Sequence, residues 1–169
     1  MRNLRYVFWR QTRALRLQNR REGLLLSFGV REGEGKMRFG KEGIHFFLSP
    51  IELGELRYIL ASPAPEKREM RVIHKQNNRT KTLSAKWEKG KDQTLIFTLS
   101  VTQKDESGEP KKAQFGLSLG EAYVLARAVD LVIEETLTNA GAFPPQAGED
   151  VQESPELGDE GDEGELPLI

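Results

Sequence analysis

The 169 residues carry 25 Lys and Arg against 26 Asp and Glu, a formal net charge of −1, and no cysteine, which excludes a disulfide framework and a thiolate zinc site and fits an intracellular protein. No apolar run approaches the roughly 18 residues of a membrane span, and the basic N-terminus is followed by no apolar core and no small-residue cleavage site, so neither an anchor nor a secretory signal is expected. The near-zero charge hides an asymmetry: residues 144–169 hold nine acidic residues and no basic one, leaving 25 basic against 17 acidic residues over 1–143, a net of +8.

In chain order, alternating apolar runs bounded by turn residues predict strands at Leu4–Arg10, Arg13–Asn19, Leu24–Glu32 and Gly43–Leu48, with Gly33, Gly35 and Gly40 among the breaks. Ser49, with Glu52 three residues later, is a capping-box start for a helix, and Pro50 suits its first position, where no N–H is needed. Its expected apolar face is Ile51, Leu53, Leu56, Ile59 and Leu60. The pattern then recurs. Strands are expected at Arg68–Lys75, Lys81–Glu88, Thr94–Gln103 and Lys112–Leu117, and a second helix starts at Ser118 with Glu121 in the same relation. Its face is Leu119, Ala122, Leu125, Val129, Val132 and Ile133.

The recurrence is an internal repeat. Leu24–Val30 aligns with Leu95–Val101, Phe46–Leu53 with Phe115–Ala122, Leu4–Val7 with Met70–Ile73, and Thr12–Leu15 with Thr80–Leu83, in the same order. Residues 1–61 and 68–138 therefore read as two copies of four strands and a helix joined by a linker at 62–67. The fold class is α+β, two tandem ββββα repeats. The simplest assembly has two antiparallel four-stranded sheets about a pseudo-twofold axis, helices at the centre and open sheet faces outward. Residues 1–143 would form one domain and 144–169 a disordered tail, rich in Pro, Gly and acid and nearly free of aromatics.

The basic residues concentrate in the first two strands of each copy. Residues 1–21 hold seven arginines and no acid, and residues 67–91 hold nine cations against Glu69 and Glu88, so each segment carries +7. Aromatic residues are interleaved: Tyr6, Phe8 and Trp9 in the first copy, Trp87 in the second, with Phe47 opposite Phe46 on the fourth strand. Such a surface suits single-stranded nucleic acid, because cations neutralise phosphates with release of counterions while exposed rings stack on unpaired bases. Phosphate contacts are expected from Arg5, Arg10, Arg13 and Arg16 in the first copy. In the second copy they are expected from Arg71, Lys75, Arg79, Lys81, Lys86 and Lys89. Stacking is expected from Trp9, Trp87 and Phe47. Cationic strands also occur as solvated edges that discourage aggregation; the duplication of the basic and aromatic segment favours the binding reading.

The chain finishes on an acidic run and an apolar tip, Glu165-Leu166-Pro167-Leu168-Ile169. This resembles the C-terminal tail of bacterial single-stranded DNA-binding proteins, with Ile169 standing where an aromatic is usual, and the resemblance implies docking of replication and repair partners. The two ββββα copies with basic outer sheets resemble the Whirly and Pur-alpha group of single-stranded nucleic-acid binders and the related transcriptional coactivators, over roughly residues 4–138. Lys89-Gly90-Lys91 is loosely similar to a Lys-Gly strand motif of Whirly proteins but falls in a turn here. Members of the group self-associate, which implies a homodimer or tetramer.

The enzyme reading is weak, with two histidines, His45 and His74, no phosphate-loop glycine pattern, no nucleophile elbow and no clustered metal ligands. No catalytic residue, metal or cofactor is expected. The reading is a cytoplasmic, nucleoid-associated protein that binds single-stranded DNA with low sequence specificity in replication, recombination or repair, its tail recruiting partners. An RNA binder or transcription cofactor of the same fold is the alternative, as is an interaction scaffold acting through the tail.

Overall fold

The computed structural model describes residues 3–31, 33–64, 68–106 and 108–142. The first repeat contains strands β1 (Arg5–Trp9), β2 (Arg13–Arg20), β3 (Gly23–Val30) and β4 (Ile44–Leu48), then helix α1 (Pro50–Leu60). The second contains β5 (Glu69–Gln76), β6 (Arg79–Lys89), β7 (Leu95–Asp105) and β8 (Lys111–Leu117), then helix α2 (Leu119–Ala142). Each set of strands forms an antiparallel meander, in the orders β1-β2-β3-β4 and β5-β6-β7-β8. The chain divides into two compact units, Met1–Thr136 and Leu137–Ile169. The first holds both sheets, α1 and most of α2; of the second only the end of α2 is described, so the acidic tail and its tip Glu165–Ile169 lie outside the described residues.

Alternation sorts each strand into a core face and an outer face. Leu15 and Leu17 of β2, Leu24, Leu26 and Phe28 of β3, and Ile44, Phe46 and Leu48 of β4 are buried, as are Leu83, Phe97, Leu99, Phe115 and Leu117 of the second sheet. They join Leu53 and Leu56 of α1 and Leu125 and Val129 of α2 in one continuous core. The capping residues do as the sequence requires. Glu52 accepts from the Ser49 amide and hydroxyl, both at 2.7 Å. Glu121 accepts from the Ser118 amide at 2.9 Å, and the Ser118 hydroxyl accepts from the Glu121 amide at 3.3 Å.

Equivalent residues of the two repeats make equivalent links to the opposite repeat, which is the pseudo-twofold relation in atomic terms. The His74 ring stacks on Phe46 with centroids 4.5 Å apart, and Phe8, its counterpart, lies 6.4 Å from Phe115, the counterpart of Phe46. Lys81 donates to the His45 carbonyl at 2.8 Å and Arg13 to the Gln114 carbonyl at 3.3 Å. The two capping glutamates also cross over: Glu52 Oε1 meets His74 Nε2 at 2.7 Å, and Glu121 takes both terminal nitrogens of Arg10 at 2.8 and 2.6 Å. Asp130 of α2 accepts from Arg57 of α1 at 2.6 Å, joining the helices directly.

Two expectations about assembly change. α1 packs on β5 and β6 as well as on its own β3 and β4, and strands β2, β3 and β4 touch β7 or β8 directly, so the helices do not separate the sheets. Each helix keeps one side in solvent, where Ile51 and Tyr58 of α1 and Leu119 and Tyr123 of α2 are exposed. Ile51 and Leu119, both in the first turn of their helices, are exposed, so they leave the apolar faces assigned to them.

The crossed glutamates have a measurable consequence. Burial alone would raise the Glu52 carboxyl, but the hydrogen bonds from His74 and Ser49 outweigh it and hold it below its ordinary value. The Arg10 hydrogen bond does the same for Glu121, against a smaller opposing effect of burial. A depressed folded-state value stabilises the fold above the unfolded-state pKa, and that stabilisation is lost as the pH falls through the folded value. Urea midpoints measured from pH 7 to pH 3 are therefore expected to fall in the acid range. The Glu52→Gln/Glu121→Gln variant should start lower at pH 7 and fall less; an identical acid slope would assign the effect to other carboxylates.

Candidate nucleic-acid interface

The outer face of the first sheet is built from the alternate residues of its strands. Cross-strand register places Arg5, Gln18, Leu25 and Phe47 in one row, Val7, Arg16, Ser27 and His45 in the next, and Trp9, Ala14 and Gly29 in the third. Trp9 is 59% exposed and Phe47 36%. Two glycines carry the face's rings. A Cβ on Gly29 would meet three atoms of the Phe39 ring at 2.8 to 3.1 Å, and one on Gly23 would meet first the Leu48 carbonyl oxygen and then the Phe47 ring at 2.7 Å. Both glycines leave room for the close approach of an aromatic ring, a device that also compensates a strand for a missing side chain. Phe39 completes the patch: its ring centroid is 6.5 Å from that of Trp9 at an interplanar angle of 75°, and the Arg16 guanidinium lies over it at 4.5 Å.

The face is electrostatically uncompensated. Burial first, then repulsion from Arg5 and Arg20, pushes the Arg16 guanidinium below its ordinary value, and Arg16 Nε is buried without a hydrogen-bond partner among the described residues. His45 is occupied, with Nδ1 at 2.9 Å from the Ser27 hydroxyl and Nε2 at 3.1 Å from the Gly40 carbonyl.

The second sheet presents a different outer face. Its rows run Ile73, Thr82, Thr102, Lys112; Arg71, Ser84, Ser100, Gln114; and Glu69, Lys86, Thr98, Gly116, with Lys75, Thr80 and Lys104 beyond. Hydroxyls occupy its centre and cations its margins, and it carries no aromatic ring. Where the first sheet lays phenylalanines on glycines, here Ile96 covers Gly116, 3.1 Å from the position a Cβ would take.

The residues singled out from sequence separate accordingly. Arg5, Trp9, Arg16 and Phe47 converge on the outer face of the first sheet, and Arg71, Lys75 and Lys86 lie on that of the second, Lys86 3.4 Å from Glu88. Arg13 is exposed beside the cleft between β2–β3 and β7–β8. Five assignments need correction. Trp87 is 3% exposed, points into the core, and donates its indole N–H to the Ile59 carbonyl at 2.9 Å; it shares the inward parity of Leu83 and Ala85. Lys81 has the same inward parity and is spent on the His45 carbonyl, where burial pushes its ammonium below the ordinary value. Arg10 is held by Glu121 and the Gly116 carbonyl at 2.9 Å, with its guanidinium 4.9 Å above Phe115, and Arg79 is paired with Asp105 at 2.6 Å. Lys89 is exposed at the end of β6, off the outer face. Phe39 was not anticipated, since it lies between strands; its signal is Gly29, an outward strand position with no side chain of its own. Among the described residues no three His, Asp or Glu side chains converge to hold a metal ion, and no helix is long and apolar enough to cross a membrane.

This arrangement is the α+β fold of the Whirly proteins, two ββββα repeats about a pseudo-twofold axis. WHY1 from Arabidopsis thaliana superposes with a TM-score of 0.66 at 16% identity, over 83% of this chain and 91% of that one. WHY3 from Arabidopsis thaliana gives 0.64 at 16% identity, over 83% and 95%. The plant transcriptional regulator PBF-2 gives 0.66 at 17% identity, over 90% and 93%. No family model matches the sequence, and no curated protein does.

Proposed function

We propose that the protein binds single-stranded DNA with little sequence preference and without catalysis, and that it protects or organises the strand during replication, recombination or repair. The observation that carries this is the outer face of the first sheet, where Trp9, Phe39 and Phe47 offer ring surface among Arg5 and Arg16 with no acidic residue in its rows. Rings of this kind reward bases that are not already stacked, and the guanidinium groups neutralise the intervening phosphates. Arg71, Lys75 and Lys86 extend the phosphate contacts on the second sheet. Residues 1–143 act as the binding body and residues 144–169 as an acidic tail that competes for it, with Glu165–Ile169 docking partner proteins. The exposed Tyr58 and Tyr123 on the helices supply a surface for a homodimer or tetramer. The likeness to the regulator PBF-2 favours, as a second reading, a transcription cofactor acting through the same face.

Titration of labelled single-stranded and blunt duplex oligonucleotides at several salt concentrations tests the proposal. The single strand should bind more tightly, with affinity falling steeply as salt rises; equal affinity for blunt duplex, or indifference to salt, would overturn it. In the same assay a chain ending at Phe143 lacks nine carboxylates and should bind more tightly than the full chain. Unchanged or weaker binding would remove the tail from the competition.

A further inference from the structure

The two outer faces differ in a way that binding one uniform strand does not require. At the centre of the second sheet, Thr82 and Thr102 pair across β6 and β7, and Ser84 and Ser100 pair in the next row of that face. The four residues are half-buried, and none of their hydroxyls has a protein partner among the described residues. Arg71 and Gln114 close one row, Ile73 and Lys112 the other. The acids of this face, Glu69 and Glu88, lie toward the Lys86 end, where Glu88 is engaged by Thr98 at 2.6 Å and by Lys86.

Hydroxyl and cationic groups without rings make contacts to phosphate and sugar, which position a nucleic acid but do not need its bases unstacked. Such a surface gains most from the ligand with the densest phosphates. A duplex carries one charge per ~1.7 Å of axis, against one per ~3.4 Å for each of its strands. The two outer faces also meet. A cleft of about 470 Å³ at the seam where β2 and β3 meet β8 is lined by Ala14 and Gly29 of the first outer face and Thr102, Lys112 and Gln114 of the second, with Phe28 and Phe115 of the core beneath, which gives a ligand on the ring-bearing face a route onto the hydroxyl face.

Resting on the single-strand reading above, we infer that the second sheet is a backbone-binding surface for duplex, and that the preferred ligand is a junction with its single strand on the first sheet and its duplex arm on the second. The charge of the hydroxyl face and its continuity with the ring-bearing face across the cleft both select this occupant.

The test compares, on the full-length chain, a tailed duplex with its isolated single-stranded tail and with the blunt duplex, by fluorescence anisotropy across a salt series. The tailed duplex is expected to bind about tenfold more tightly than the tail alone, with a log–log salt slope steeper by ~2, the increment for about two further phosphates. The variant Thr82→Val/Ser84→Ala/Ser100→Ala/Thr102→Val should bring the ratio of the two affinities toward unity. If it does not fold, Lys104→Glu/Lys112→Glu at the margins should lower the same ratio. A wild-type ratio near unity, or a ratio that survives both variants, overturns the inference while single-strand binding stands. Failure of the tail alone to bind would instead sink the single-strand reading.

Discussion

Trp9→Ala should weaken binding of a short single strand about tenfold, within the ~1–3 kcal/mol that one base–aromatic stack contributes. The indole is largely in solvent, touches the edge of the Phe39 ring, and has only Ala14 beside it on β2. Its removal therefore takes a stacking platform and little of the core, and the unfolding free energy should stay within ~0.5 kcal/mol of wild type, as for ordinary surface substitutions. Trp9→Phe should recover much of the affinity, because it keeps a ring at the same place. Arg16→Glu should act differently, flattening the salt dependence as well as weakening binding, because it reverses a charge between Arg5 and Arg20. Paired titrations and melts of the variants separate these effects. Trp9→Ala binding within a factor of two of wild type would show that the ring-bearing face is not where bases stack.

The repeat made most of the fold legible. Once Leu24–Val30 is matched to Leu95–Val101, strand order, turn positions and both helix starts follow, and the observed strands begin and end within a few residues of the expected ones. What stayed hidden was the way the copies interlock. The pairing of Glu52 with His74 and of Glu121 with Arg10 joins residues far apart in sequence, and no local periodicity encodes it. The site was legible where parity was unambiguous, as in Arg5, Val7 and Trp9 on one side of β1. It was hidden at Trp87, which stands among charged residues in the sequence and yet faces the core. Trp87 sits two residues from Ala85 and four from Leu83, all facing the core, and the flanking Lys86 and Glu88 are on the other face because a strand reverses its side chains at every residue. Phe39 escaped for another reason: its place over Gly29 depends on how the segment between β3 and β4 folds back, which the isolated bridge between Val30 and Arg38 fixes.

Trp87→Ala should be the most damaging single change outside the leucine core. Truncating a buried tryptophan costs about 3–5 kcal/mol, and at 2–4 °C per kcal/mol for a chain of this size the unfolding temperature should drop roughly 6–20 °C. The ring packs edge-on against Phe97 with centroids 5.1 Å apart, and its N–H reaches the Ile59 carbonyl in the last turn of α1, which also accepts from the Ser62 amide at 3.2 Å. The loss thus falls on the joint between α1 and the second sheet. Trp87→Phe separates the two contributions, since it fills most of the space but leaves the carbonyl without the indole, at a cost of about 1 kcal/mol for the hydrogen bond. At a temperature where each variant is folded, both should bind a short single strand as the wild type does, because Trp87 has no surface to offer a base. The opposite pattern, affinity lost from folded Trp87→Phe while its stability is unchanged, would return Trp87 to the binding face and contradict the packing of β6.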